Sequence, residues 1–564
     1  MKFADYKYER INYEEVAKQY NDIIAQMENE QDAEKFYQLF KQYQKIDSYV
    51  STMSSICYIR HTINTKDEFY TAENDFWDET NPLLQSFSAR LSKIMLDFSD
   101  REGLLKYIPE PFFKMAECEI KSYDEKIVPL LQQENKLTSE YGKLKANALI
   151  EFDGQTYNLS TISPLALSKD RDIRRRASQA KNKFYEDNEA EFDRIYDELV
   201  KVRTEIAHQL GYKTFTELGY LRMTRLDYNQ DMVANYRRQI LEDIVPLDNE
   251  LYARQAERLH LDKLAYYDLD YEFESGNPAP KGTPEQLVEK AVEMYHEMSK
   301  ETGEFIDFMN DRDLWDLVSR DGKEMGGYTI SVIDYKSPFI FANFNGTSGD
   351  VDVLTHEAGH AFQYYMSRDI EVTQCQWPTM ESCEIHSMSM EFFAYPWMKS
   401  FFEEDTDKYY FLHFTSTLKF LPYGVLVDHF QHEVYNHPEM TPAERKATWR
   451  RLEKMYLPHV DYSENDFLER GGFWFKQGHI FSTPFYYIDY TLAQVCALQF
   501  WARQYNKDPK AFEDYLHLCS LGGTMSFTKL VKEAGLIVPF DDGCVKDVAA
   551  KAREYLATID DKKL

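Results

Sequence analysis

The pentapeptide His356-Glu357-Ala358-Gly359-His360 restricts this chain more than any other stretch. Written as H-E-x-x-H, it has a chemical use only on an α-helix, where residues four apart share a face with Cβ atoms about 5–6 Å apart. Two imidazoles so placed can both reach one zinc ion at Zn–N distances of about 2.0–2.1 Å. Glu357 projects at a different angle, which lets it approach a zinc-bound water and not the metal. The same five letters also arise by chance, so the pattern needs a helix around it and a third ligand.

The flanking residues supply the helix. Runs 328–333 and 339–344 are short, apolar, and rich in β-branched and aromatic residues, which predicts a small antiparallel sheet joined through 334–338. Asn345-Gly346-Thr347-Ser348-Gly349-Asp350 breaks it, and Thr347 with Asp350 has capping-box spacing, with Asp where Glu or Gln is usual. A helix entered there carries His356 and His360 about two turns in.

When two histidines bind zinc, a carboxylate is the usual third ligand. Residues 379–391 read as one helix, with Glu384, Ser387, Met388 and Glu391 on a common face. The neighbours Met388, Met390, Phe392 and Phe393 indicate burial, and a buried carboxylate needs a cation or a donor. On the residues alone Glu381, Glu384 and Glu391 compete, and three surface glutamates are the bland alternative.

Composition bounds the function classes. A net charge of −31 argues against a nucleic-acid partner, because a phosphate backbone would be repelled. No run approaches 18 uninterrupted apolar residues, so no membrane span is expected, and the first residues lack an apolar leader. Seven scattered cysteines without C-x-x-C spacing point to reduced thiols and hence to the cytoplasm. The sequons Asn158-Leu159-Ser160 and Asn345-Gly346-Thr347 are then coincidental.

Residues 12–145 read as long amphipathic helices over 13–27, 33–61 and 66–96. Alternation around Asp153-Gly154 predicts a hairpin. The basic run 171–176 is mixed with acids and reads as a solvated helix face. The stretch 266–283 is linker-like, and after Glu371 the chain is again mostly helical. The expected organisation is a helical region over 1–145, a hairpin with further helices over 146–275, and a region carrying the zinc motif over 276–564.

Near the C-terminus, Gly471-Gly472 leads into Gly478-His479 and Tyr486-Tyr487-Ile488-Asp489-Tyr490, a flexible loop beside a dense aromatic helix start. Neutral Tyr O–H or His N–H donors can stabilise an oxyanion, although an aromatic cluster by itself is more often core. His432 and His437 form a near-miss, H-E-x-x-x-H. Five residues at about 100° each put them roughly 140° apart, so joint ligation is not expected.

The segment 338–346, the H-E-x-x-H pentapeptide, and Glu384-x-x-Ser387-x-x-x-Glu391 together resemble the thimet oligopeptidase / oligoendopeptidase F family of zinc peptidases, its Pz-peptidase-like members in particular. The resemblance is sharp over 338–395, recognisable over 471–495, and general elsewhere. It implies that Glu384 binds one zinc ion with His356 and His360, and that Glu391 supports a ligand from behind. It implies Glu357 as the base that activates a zinc-bound water, with His479 and Tyr487 or Tyr490 as oxyanion donors. The spacing from His479 is a residue shorter than in the thimet branch, so Tyr486 competes for the place of Tyr487, and Tyr486 and Gly478 are candidates for substrate contact. The implied fold is mainly α, a two-lobed helical ellipsoid with a deep substrate channel and a small antiparallel sheet beside the motif helix. The implied activity is endopeptidase cleavage of short unstructured oligopeptides.

Two other readings remain. A zinc carboxypeptidase or dipeptidyl carboxypeptidase would share the metal centre, although the H-E-S-Q-type motif of helical carboxypeptidases is absent. A non-catalytic helical peptide-binding protein with a closed structural metal would recruit a fourth ligand, for which Cys383 and His386 are the candidates. The residues do not set the oligomeric state.

Overall fold

The computed structural model describes residues 1–564 apart from 160, 321 and 325, and apart from the side chains of 78, 82, 139 and 146. Ser160 of the first sequon therefore lies outside the described residues. Helix makes up 69% of the chain and strand 4%, which makes the fold mainly α. No described helix is long and apolar enough to cross a membrane. The chain folds into two compact units built from interleaved segments. One comprises Met1–Lys121, Ala279–Thr406 and Cys496–Ile537, the other Ser122–Pro278, Asp407–Val495 and Val538–Leu564.

The first unit begins with helices Tyr13–Met27, Ala33–Ile63 and Glu68–Asp97. Asn12, Asp32 and Asp67 cap them by accepting the backbone N–H of Glu15, Lys35 and Tyr70, groups that would otherwise lack a partner. Val16, Tyr20, Ile24 and Met27 recur at helical spacing on the buried face, and Tyr20 stacks on Phe87 at 5.0 Å.

The same unit holds a three-stranded sheet, β3 (Trp315–Val318), β4 (Tyr328–Val332) and β5 (Ser337–Phe344), in the order β3-β5-β4. The expected pair β4–β5 is antiparallel, with Tyr328 opposite Phe341 and Val332 opposite Ser337. The sheet is nevertheless mixed, because β3 adds to β5 in parallel. Four residues are too few to display a period, which is why β3 escaped the sequence. Central position explains β5, whose residues are buried at seven of eight positions and read as a continuous apolar run.

The motif helix follows as Gly349–Ser367 and is entered from β5, as expected, but its cap differs. Ser348 occupies the N-cap position and gives no side-chain cap. Thr347 instead donates its hydroxyl to Asn345 at 2.7 Å. Asp350 reaches backward to accept the N–H groups of Asn345 and Gly346 at 2.8 and 2.7 Å. A carboxylate in the first turn is also favoured by the helix dipole, so Asp350 anchors both the loop and the helix start.

In the second unit β1 (Ile150–Phe152) and β2 (Gln155–Tyr157) form the expected hairpin. Asp153 and Gly154 take φ of +48° and +78°, the left-handed pair that a two-residue turn of this twist requires. Its Ile150 and Phe152 pack with Ile162 and Ala177. The basic run is not simply a solvated face, since Arg174 is 3% exposed and turns inward with Arg171 onto Asp268. The stretch 266–283 has no helix or strand, yet Gln255 ties it down by donating to the carbonyls of Asp268, Leu269 and Tyr271.

Gly471 and Gly472 depart from the expected flexible loop. Gly471 has φ of +96°, and a Cβ there would sit 2.0 Å from the Lys446 carbonyl oxygen. A Cβ on Gly472 would sit 2.3 Å from the Phe467 ring. Both glycines are positions of close approach.

Candidate metal centre

The motif helix Gly349–Ser367 and the helix Met380–Phe393 lie face to face within the first unit. Their close approach depends on the fourth residue of the motif. A Cβ on Gly359 would lie 2.6 Å from Ser387 Cα and 2.7 Å from the His386 carbonyl oxygen, where backbone must give way. Glycine lets the two helices meet at the level of the histidines.

That contact brings three donors together. Glu384 Oε2 lies 3.3 Å from His356 Nε2 and 3.4 Å from His360 Nε2. The three donor atoms fall within 4.8 Å of one another, and no other such group of histidine, cysteine or acidic residues is found among the described residues. Two donors about 2.05 Å from a tetrahedral zinc lie about 3.3 Å apart, so this donor set fits the ion. Ser387 Oγ donates to Glu384 Oε2 at 3.0 Å, which fixes the carboxylate rotamer. Of the three competing glutamates, Glu381 takes a hydrogen bond from Thr379 and stands outside the group.

Glu391 Oε1 lies 2.7 Å from His356 Nδ1. A carboxylate only accepts, so Nδ1 carries a proton toward Glu391 and Nε2 is the nitrogen turned to the donor group. Burial works against a charged His356, but Glu384 and Glu391 outweigh it and hold its pKa well above 6.5. Burial likewise works against an ionised Glu384, and His360 and His356 hold its carboxyl well below the usual range. Two carboxylates thus concentrate negative charge where a cation is to bind.

Glu357 is 7% exposed, and Thr329 Oγ1 on β4 donates to its Oε2 at 2.6 Å. This contact was not read from the sequence; Thr329 was only one letter of an apolar run. The decoy histidines diverge. His432 is buried against Tyr220 and Asp428, whereas His437 is exposed beside Glu439. The donor group also leaves out the two residues that a closed structural site would use. Cys383 Sγ faces the Pro378 carbonyl at 3.4 Å. Burial pushes His386 down to about 4, which keeps it neutral.

In the second unit His479, Tyr486, Tyr487 and Tyr490 form one aromatic cluster. Ring centroids lie 5.7, 5.1 and 5.8 Å from His479 for the three tyrosines in that order. Gln477, a residue the sequence reading passed over, donates its amide to His479 Nδ1 at 2.8 Å and accepts from Tyr423. With Nδ1 accepting, the proton sits on Nε2, which faces the Tyr490 hydroxyl at 3.5 Å. Burial pushes the Tyr487 hydroxyl well above 10, so it stays a donor. Gly478 opens the short helix Gly478–Ser482, and a Cβ there would meet only Tyr141 at 3.8 Å, an ordinary contact.

The start of this aromatic helix is held by a clamp. Phe485 takes φ of +68°, its N–H donates to Gln431 at 3.0 Å, and its carbonyl accepts from Arg225 at 2.8 Å. Arg225 also pairs with buried Asp489. The Phe485 ring fills the space where a Cβ on Gly219 would be.

Residues 3–123 match the model of the peptidase M3 N-terminal domain, and residues 165–549 match that of peptidase family M3. This chain belongs to peptidase family M3. A crystal structure assigned to oligoendopeptidase F is 50% identical with a TM-score of 0.96, covering 100% of both chains. PZ peptidase A, solved with an inhibitor, gives the same identity, TM-score and coverage. A chain assigned to oligoendopeptidase F from Bacillus anthracis is 50% identical with a TM-score of 0.92, covering 100% of this chain and 99% of its own. No curated protein matches this sequence. The M3 chain is a metalloendopeptidase, the class that the resemblance implied.

Proposed function

We propose that this M3 peptidase is a zinc oligopeptidase that cuts internal bonds of short, unstructured peptides, with one zinc ion held by His356, His360 and Glu384. The observation that carries this reading is the placement of Glu384 Oε2 at 3.3 and 3.4 Å from the two Nε2 atoms. A zinc ion at these ligands supplies Lewis-acid polarisation of the scissile carbonyl and acidifies the attacking water. Glu357 accepts a proton during attack and returns it to the leaving amine, with Thr329 holding its carboxylate in place. Glu391 keeps His356 in the tautomer that presents Nε2. His479, through Nε2–H, and Tyr487 or Tyr490, through O–H, stabilise the oxyanion, and Tyr486 and Gly478 contact substrate. Seven buried free thiols support a reducing, cytoplasmic setting.

The test combines metal analysis with product masses from an internally quenched peptide of about ten residues. One zinc per chain and cleavage at an internal bond are expected, with casein a poor substrate. Release of single residues or dipeptides from the C-terminus would convert the reading to the carboxypeptidase class. Stoichiometric metal without any cleavage would leave only a binding protein.

A further inference from the structure

His479 and the tyrosines at 487 and 490 sit on two helices separated by a break. The helix Gly478–Ser482 is five residues long, and Tyr487–Tyr505 begins after Thr483, Pro484, Phe485 and Tyr486. Five residues do not sustain a helix in isolation, because nucleation costs more than so few hydrogen bonds return. In an uninterrupted helix the Phe485 N–H would reach the Phe481 carbonyl, four residues back. Instead it turns to Gln431 at 3.0 Å, with φ of +68°, and Pro484 has no N–H to offer. The break is therefore shaped by groups outside it.

Two buried arginines supply the shape. Arg203, on the helix Glu189–Gln209, is 0% exposed and donates to the Phe481 carbonyl at 2.5 Å. It also donates to Glu134 Oε1 at 2.6 Å and to the Tyr435 hydroxyl at 2.8 Å. Arg225 donates to the Phe485 carbonyl at 2.8 Å and pairs with Asp489 in the first turn of Tyr487–Tyr505. Each guanidinium is thus anchored by a carboxylate and directs a second N–H to main-chain oxygen, one at each end of the break. Charge-assisted bonds of this kind are short and geometrically demanding.

Where these contacts fall gives them a use beyond folding. Phe481 lies two residues after His479, Phe485 two before Tyr487, and Asp489 directly before Tyr490. The Tyr487 and Tyr490 rings stand 5.1 and 5.8 Å from the His479 ring, and the Tyr490 hydroxyl 3.5 Å from His479 Nε2. Donors from two helices converge on one oxygen only if the helices keep their relative placement, and an error of about 1 Å costs on the order of 100-fold in rate. We propose that Arg203 and Arg225 are positioning residues of the peptidase reaction, which set His479 against Tyr487 and Tyr490 through the Phe481 and Phe485 carbonyls. Both are buried, so they act through these donors and not on the substrate. The inference rests on the reading of His479 and the tyrosines as oxyanion donors.

Zinc-loaded enzyme carrying Arg203→Lys or Arg225→Lys tests it. Lysine keeps the charge facing Glu134 or Asp489, but one ammonium does not reproduce the fork that also reaches the carbonyl. Gln431→Met releases the Phe485 N–H with both arginines intact, and serves if a lysine variant fails to fold. Expected on a quenched peptide is a fall in kcat of about 10–100-fold with KM within about threefold. A phosphinic peptide, whose tetrahedral phosphinate mimics the oxyanion, should weaken in parallel with kcat. Zinc content and the affinity of uncleaved peptide on the Glu357→Gln background should not change. Combined with His479→Ala, each arginine variant should lose less than the product of the two single losses. Unchanged kcat in the folded variants, or fully multiplicative losses with His479→Ala, overturns the proposal. Undiminished kcat in His479→Ala, Tyr487→Phe and Tyr490→Phe would instead sink the oxyanion reading, and this inference with it.

Discussion

Replacing Gly359 with alanine tests whether helix approach builds the donor group. The new Cβ would lie 2.6 Å from Ser387 Cα, 2.7 Å from the His386 carbonyl oxygen and 3.0 Å from Met390 Cβ. Carbon atoms pack at about 3.5–4.0 Å, so the helices must separate by roughly 1 Å at this level. Overpacking of this kind costs about 1–3 kcal/mol. The same shift would carry Glu384 Oε2 from 3.3 and 3.4 Å to roughly 4.3 Å from the two imidazole nitrogens, beyond the span of one tetrahedral zinc. Zinc affinity, measured by competition with a chromophoric chelator, should fall at least about tenfold. Melting should also respond less to added zinc. Gly142→Ala is the control. It lies in the helix Val128–Ala146 with nothing within 4 Å of the added Cβ, and should stabilise by about 0.5–1 kcal/mol with zinc affinity unchanged. Undiminished zinc affinity in Gly359→Ala at unchanged stability would refute the role given to helix contact.

Other expectations follow from single contacts. Glu391→Ala removes the acceptor of His356 Nδ1, and metal titration should show zinc affinity weakened by about 10–100-fold. Gln477→Leu leaves His479 without its orienting donor, so kcat on a quenched peptide should fall more than KM changes. Burial, opposed by Arg450 and Tyr462, pushes Glu453 up from 4.5 to about 7. A carboxyl raised on folding contributes stability below pH 4.5 that is lost as pH rises through about 7, on the order of 3 kcal/mol in all. Glu453→Gln should therefore flatten the denaturant-derived stability curve between pH 5 and 8 and melt above the unmodified chain at about pH 8.

The parts of the fold with long period were legible in the sequence. Helices Tyr13–Met27, Ala33–Ile63 and Glu68–Asp97 carry several turns of repeating apolar residues, so their limits could be read to within a few positions. The hairpin was legible from Asp153-Gly154, where chemistry and backbone coincide. Strand β3 was not, because Trp315–Val318 gains its identity from pairing with β5. The motif pentapeptide announced two donors and a base, but residue spacing alone could not choose among Glu381, Glu384 and Glu391. That choice depends on the rotation of one helix against another, which Gly359 permits and no local pattern encodes. Thr329 and Gln477 were missed for the same reason: each matters through one hydrogen bond to a residue in a different element or turn. Gly471 was misread because flexibility and close approach use the same residue.

The most direct measurement is Glu357→Gln, with zinc content and peptide turnover determined on the same preparation. Glu357 stands beside the donor group and is not part of it. Zinc should stay at one ion per chain and peptide binding should persist, while kcat falls by about a thousandfold or more. Turnover within about tenfold of the unmodified enzyme would contradict the assignment of Glu357 as the base. Loss of the zinc would contradict the separation of ligands from base on which the whole site is built.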